Sequence, residues 1–136
     1  MNRYVIGFLF NGDSSKVCLI EKNRPKWQRG RLNGVGGHIE NCETPLEAME
    51  REFQEEAGVM LEWRQFLFVT GNNYELYCFT AKNHSVRIKT MTDEKVSWHS
   101  VKNLPPNILP NLAWIIPMAN YKFPLKAVVE HESEEC

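Results

Sequence analysis

From Thr44 to Gly58 the chain is held to one conformation more tightly than anywhere else in its length. Thr44 is a good helix N-cap, Pro45 suits the first helical position, and Glu47 stands three residues after the cap, where its carboxylate completes a capping box. Gly58 is the natural stop. Between these signals Leu46, Met49, Phe53 and Ala57 recur at helical spacing, so one face is predicted to pack on a sheet. Glu52, Glu55 and Glu56 recur at i, i+3 and i+4 and are predicted to project together from another face.

Like charges at that spacing destabilise a helix by roughly a few tenths of a kcal/mol per pair. A divalent cation among them removes the conflict. Carboxylate oxygens with no Cys or His nearby select a hard ion, Mg2+ first and Mn2+ second, rather than zinc. Magnesium binds through a few carboxylates together with substrate phosphates, which directs the chemistry toward phosphate esters and anhydrides. A solvated acidic helix face is the plain alternative.

The flanking sequence supplies strands. Residues 3–10 and 17–20 are apolar and β-prone on either side of Asn11-Gly12-Asp13, a hairpin signal. Residues 61–70 and 74–81 read as a second hairpin through Gly71-Asn72-Asn73, and residues 95–99 as a further strand. Residues 23–33 lack either period and read as an ordered loop, followed by Gly34-Val35-Gly36-Gly37, backbone able to approach a ligand closely. Asn111 to Asn120 reads as a closing helix despite Pro117, and the acidic tail from Glu130 to Cys136 is expected to fray. The length suits one α/β domain, residues 1–136, without repeat or linker.

A net charge of -1 from 16 basic and 17 acidic residues excludes binding to nucleic acid by bulk electrostatics, and stable nucleic-acid binding is not expected. Lys22, Arg24, Lys26, Arg29 and Arg31 nevertheless crowd one stretch, either a solvated loop or a grip for phosphates. The four cysteines form no C-x-x-C pair and no secretory leader is in view, which suggests a reducing, cytoplasmic setting. Cys18 and Cys78 sit in apolar runs and read as packing residues. No apolar stretch approaches membrane-spanning length.

Residues 37–59 match, position for position, the pattern G-x5-E-x7-R-E-U-x-E-E-x-G-U, with U a bulky apolar residue. The matching residues are Gly37, Glu43, Arg51, Glu52, Phe53, Glu55, Glu56, Gly58 and Val59. This run resembles the signature of the Nudix hydrolases. The resemblance implies a mixed β-sheet sandwiched between helices and Mg2+-dependent hydrolysis of a nucleoside diphosphate-linked substrate. It assigns metal ligation to Glu52, Glu55, Glu56 and the Gly36 carbonyl, with Arg51 orienting the glutamates and Glu43 bracing the loop. By the same resemblance the metal activates a water for in-line attack on phosphorus, and the base that takes its proton is Glu55 or Glu94. Glu94 as an exposed turn residue is the bland alternative.

Outside that run, residues 30–39 (GRLNGVGGHI) resemble the oxidised-purine nucleoside triphosphate pyrophosphohydrolases, which often read G-R-W-N-G-F-G-G-K. In that light Asn33 would read a base edge, Arg24 and Arg31 would grip phosphates, and Trp27 or Trp114 would cover the base. Trp114 as plain core is the competing reading. Leu32 and His38 depart from the subgroup's aromatic and lysine. The expected reaction is cleavage of a normal or oxidised (deoxy)nucleoside triphosphate to monophosphate and pyrophosphate. ADP-ribose or a nucleotide sugar is the second candidate, and a non-catalytic nucleotide-binding module the third. Oligomeric state is not legible.

Overall fold

The computed structural model describes residues 1–121 and 126–131; residues 132–136, most of the predicted tail, lie outside them. The described residues form eight strands and two α-helices. At the centre is β1 (Asn2–Phe10), whose residues alternate between two cores. Ile6, Phe8 and Phe10 join one core with β2 (Lys16–Glu21) residues Val17 and Leu19, while Val5 and Leu9 join the other with Cys18 and Ile20. Such alternation is what strands covered on both faces require.

β1 pairs antiparallel with β2 and parallel with β6 (Tyr74–Lys82), which pairs antiparallel with β5 (Arg64–Gly71). β3 (Leu32–Asn33) extends the sheet beyond β2, and β7 (Val96–Ser100) also pairs with β2. β4 (Val35–His38) pairs antiparallel with β1, Gly37 opposite Val5 and Gly36 opposite Ile6. β8 (Ala127–His131) runs parallel to β5 and closes the far edge.

The helix predicted from its caps, α1 (Pro45–Ala57), is present with both capping-box bonds, Thr44 Oγ1 accepting from the Glu47 amide and Glu47 Oε1 from the Thr44 amide. Gly58 ends it in the left-handed conformation, φ 76°. α1 covers one core through Ala48, Met49, Phe53 and Ala57. α2 (Leu112–Ala119) covers the other through Leu112, Ile115, Ile116 and Ala119. Pro117 is tolerated in α2 because Ala113, whose carbonyl would take its missing N–H, lies on the exposed side. The mixed sheet between helices is therefore the fold.

Several expectations are corrected. Leu46 is 43% exposed, and Ala48, in the same first turn, is the buried member of the packing face instead. The glycine-rich stretch after residue 33 is β4, made regular by pairing with β1 rather than by propensity. The loop of residues 23–33 contains a 3-10 turn, Lys26–Gln28, and ends in β3. Glu130 and His131, assigned to a fraying tail, belong to β8. No helix among the described residues is long and apolar enough to cross a membrane.

Candidate active site

Arg51, in the second turn of α1, is the hub of the acidic region. Its Nε and Nη2 bind both oxygens of Glu43, at 2.6 and 3.0 Å, a bidentate pair. Nη1 reaches Glu52 Oε1 at 2.9 Å and Glu55 Oε2 at 3.3 Å, and Nη2 donates to the His38 carbonyl at 3.0 Å. Glu43 Oε1 also accepts from the Glu40 amide at 2.9 Å. One guanidinium thus fastens the loop before α1, the end of β4 and two helix carboxylates. Its hydrogen bond holds the Glu43 carboxyl below the usual glutamate range.

The three helix glutamates do not share one exposed face. Glu55 points outward, its side chain 57% exposed, whereas the Glu52 side chain is only 12% exposed and Glu56 Oε2 is buried. At 100° per residue, positions 52 and 56 fall within the arc of Ala48, Met49 and Phe53, so two carboxylates lie inside the apolar stripe. Burial raises the Glu52 acid above its ordinary value despite Arg51. Glu56 is pushed up to about 7, mainly by burial; Lys22 pulls it back while Glu52, Glu94 and Glu55 add to it.

Two observations test whether these residues suit a cation. Glu56 Oε2 is buried without any hydrogen-bond partner, an unsatisfied acceptor that costs free energy unless something positive meets it. A methyl group on Gly37 would lie 2.5 Å from Glu52 Oε1, so β4 backbone and a helix carboxylate are in direct apposition. The donors are all oxygen, the set a hard ion prefers. Among the described residues no three acidic, His or Cys side chains converge closely enough to form a cage alone. That is compatible with magnesium, which keeps waters and takes phosphate oxygens, and less so with zinc.

Glu94 is 4% exposed, not an exposed turn residue. Its Oε1 accepts from Lys22 Nζ at 3.0 Å, and its Oε2 from the amides of Asn23 at 2.7 Å and Arg24 at 3.2 Å. Burial raises its acid pKa most, but the Asn23 amide, Lys22 and the Arg24 amide outweigh that and hold it below the ordinary value. Beside it Arg24 forms a two-pronged pair with Asp93. Sequence reasoning noticed Lys22 only as one charge in a basic stretch and did not single out Asp93; the partners of both lie about 70 residues away.

Of the predicted substrate contacts, Asn33 donates to Gln28 Oε1 at 3.2 Å, while its own Oδ1 accepts from the Gly34 amide at 2.8 Å. The Leu32 amide and carbonyl bond to Asn107 and Leu109, which draws the approach to α2 against β3. Trp27 is 69% and Trp114 43% exposed, so Trp114 is not a core residue. Arg31 is exposed, and its carbonyl accepts from the Lys22 amide at 2.8 Å. A separate recess lined by Phe10, Thr80, Lys82 and Asn120 includes none of these side chains. Cys18 and Cys78 are fully buried, their thiols pushed up to about 12 by burial, and serve as packing.

Comparison with known proteins places this geometry. The model of the NUDIX domain matches residues 1–118. Among curated proteins, Putative nudix hydrolase 1 of Caenorhabditis elegans is 31% identical over 101 residues, 71% of this chain and 27% of that protein. The 8-oxo-dGDP phosphatase NUDT18 of Danio rerio is 28% identical over 101 residues, 71% of this chain and 31% of that protein. The match thus spans less than a third of either relative's length. A NUDIX hydrolase structure from Nitrosomonas europaea superposes with a TM-score of 0.76 at 20% identity, covering 98% of this chain and 81% of that one.

Proposed function

Because the chain belongs to the NUDIX domain family, we propose that it is a divalent-cation-dependent hydrolase that cuts a phosphoanhydride bond in a nucleoside diphosphate-linked substrate. The observation that carries this reading is the buried, partnerless Glu56 Oε2, one helical turn from Glu52, whose carboxylate faces Gly37. A purely structural helix gains nothing from such an oxygen, whereas a cation site uses it. Glu52, Glu55, Glu56 and the Gly36 carbonyl would hold the ion, through oxygens that Arg51 leaves free. Magnesium fits this donor set best and manganese next.

When bound, the cation supplies charge neutralisation at the phosphate oxygens and acidifies a water for in-line attack. Arg51, itself fixed by Glu43, keeps Glu52 and Glu55 turned toward the site. Glu55 is the base in this reading: it is the helix carboxylate with an accessible oxygen, and its second oxygen rests on Arg51. Asn33, Arg24, Arg31, Trp27 and Trp114 would receive the phosphates and the base. The substrate most in keeping with them is a (deoxy)nucleoside triphosphate, oxidised purines included, giving the monophosphate and pyrophosphate. Support for the triphosphate comes from residues 30–39; the Danio rerio relative, named an 8-oxo-dGDP phosphatase, supports the oxidised purine base and keeps the nucleoside diphosphate among the candidates.

The test is product analysis with Mg2+ across a panel of normal and oxidised (deoxy)nucleoside triphosphates, the corresponding diphosphates, ADP-ribose and a nucleotide sugar. Monophosphate and pyrophosphate from triphosphates is the expected outcome. Preferential AMP release from ADP-ribose would move the substrate class, and tight nucleotide binding with no turnover of any of them would make the chain a binding module.

A further inference from the structure

The strongest unassigned feature is the part-buried contact between Lys22 and Glu94, which joins two loops about 70 residues apart within electrostatic reach of Glu56. Lys22 follows β2, and its backbone closes the neck of the basic loop: its amide donates to the Arg31 carbonyl at 2.8 Å and its carbonyl accepts from the Gly30 amide at 2.8 Å. Its side chain does not reach into solvent with the loop's other cations. It is 15% exposed and turns inward onto Glu94 Oε1 at 3.0 Å. The other Glu94 oxygen takes the next two backbone amides, Asn23 and Arg24. A single carboxylate therefore gathers three consecutive residues at the entrance of the loop.

We propose that Lys22 and Glu94 are a positioning pair that sets the basic loop over the carboxylate helix, and that Glu94 does not take the proton of the attacking water. The inference rests on the phosphoanhydride reading above. A general base needs an oxygen within reach of the water it deprotonates. The Glu94 side chain is 5% exposed, and both oxygens already accept hydrogen bonds from a cation or an amide. What those bonds do accomplish is to fix the entrance of residues 22–31. This loop carries Arg24, Lys26, Trp27, Arg29 and Arg31, and its Gln28 receives the Asn33 side-chain amide. Asn23 and Arg24 reinforce the junction on Asp93. The pair acts on the reaction through the loop, by placing groups that meet the substrate.

The test compares Lys22→Met, Lys22→Arg and Glu94→Gln in the full chain, with thermal melts to establish folding. The substrate is the best nucleotide of the panel with Mg2+. Loss of positioning weakens binding of ground and transition states alike, so KM should rise about 10-fold in Lys22→Met and Glu94→Gln with kcat within about 3-fold, and Lys22→Arg should recover most of the loss. Trypsin supplies a readout that needs no turnover: cleavage after Lys26 and Arg29 should quicken by about 10-fold in the first two variants as the loop opens locally. A fall in kcat of about 100-fold or more in Glu94→Gln at unchanged KM would make Glu94 the base and overturn the proposal. Equal loop cleavage in wild type and both variants would overturn it as well. Should Glu94→Gln fail to fold, Lys22→Met decides alone, since it retains Glu94. An inactive wild type would refute the hydrolase reading, yet the trypsin comparison would still test the pair.

Discussion

A methyl group added to Gly37 would stand 2.5 Å from Glu52 Oε1 and 2.7 Å from its carboxyl carbon. The obstacle is the end of a flexible side chain rather than backbone, so the helix need not move; the carboxylate must. Gly37→Ala should therefore leave stability within about 1 kcal/mol while displacing Glu52. Turnover should fall by about 100-fold or more if that oxygen helps hold the cation. Melting together with Mn2+ binding and phosphate-product assays would check it. A variant that keeps full activity would separate Gly37 and Glu52 from the chemistry.

Glu56 makes the cation-depleted protein sensitive to pH in a definite direction. Its folded-state acid is pushed up to about 7 from an ordinary 4.5, so between those values the folded chain holds more proton than the unfolded one. Its stability contribution is full below pH 4.5 and is lost as pH rises through 7; Glu52 is raised too and acts in the same sense. With solvent screening allowed for, the loss at Glu56 is about 1–2 kcal/mol. In chelator at pH 8, Glu56→Gln should melt about 3–6 °C above wild type, and the gap should close at pH 4.5. The same variant should have no turnover. A chelated Glu56→Gln that melts no higher than wild type at pH 8 would contradict this account.

Arg51 is held by Glu43, Glu52, Glu55 and the His38 carbonyl, and among the described residues it is the one cation binding glutamates on both sides of the α1 start. Arg51→Met should cost about 2–3 kcal/mol in urea unfolding, since charge-assisted bonds are lost and Glu43 is left without its partner. Glu43→Gln, which keeps an acceptor, should cost less. A double-mutant cycle on stability should show strong coupling between the two. Additive losses would mean that the pair is geometrically close and energetically idle.

Legibility in the sequence followed the range of the interaction. The caps of α1 were readable because Thr44, Pro45, Glu47 and Gly58 act on their own turn. β4 was not, because Val35-Gly36-Gly37-His38 has poor strand propensity and is regular only through its register with residues 4–7 of β1. The same holds for Glu94, whose burial is set by residues 22–24. The inward turn of Glu52 and Glu56 was present in the helical period but hidden by the omission of Ala48. A stripe of Leu46, Met49, Phe53 and Ala57 has Met49 as its edge and leaves both glutamates just outside it. Ala48, small and easily overlooked, marks the true edge.

Solvent exposure of large aromatics is the other quantity a sequence does not state, and here it yields a further expectation. Trp27 is 69% exposed and contributes little to folding, whereas Trp114, 43% exposed, keeps more than half of its surface covered. Trp27→Ala should change stability by no more than about 0.5–1 kcal/mol, and Trp114→Ala should cost more, about 1–3 kcal/mol. Exposed indole faces are suited to stacking on a nucleobase, a contact that contributes about 1–3 kcal/mol per base where it forms. The variant that removes such a contact should raise KM for the best nucleotide by about 5-fold to 100-fold and spare hydrolysis of inorganic or base-free polyphosphate. Quenching of tryptophan fluorescence by nucleotide, lost in only one of the two variants, would identify which indole meets the base. Unchanged KM and quenching in both variants would place the base elsewhere, on the Asn33 side of the loop.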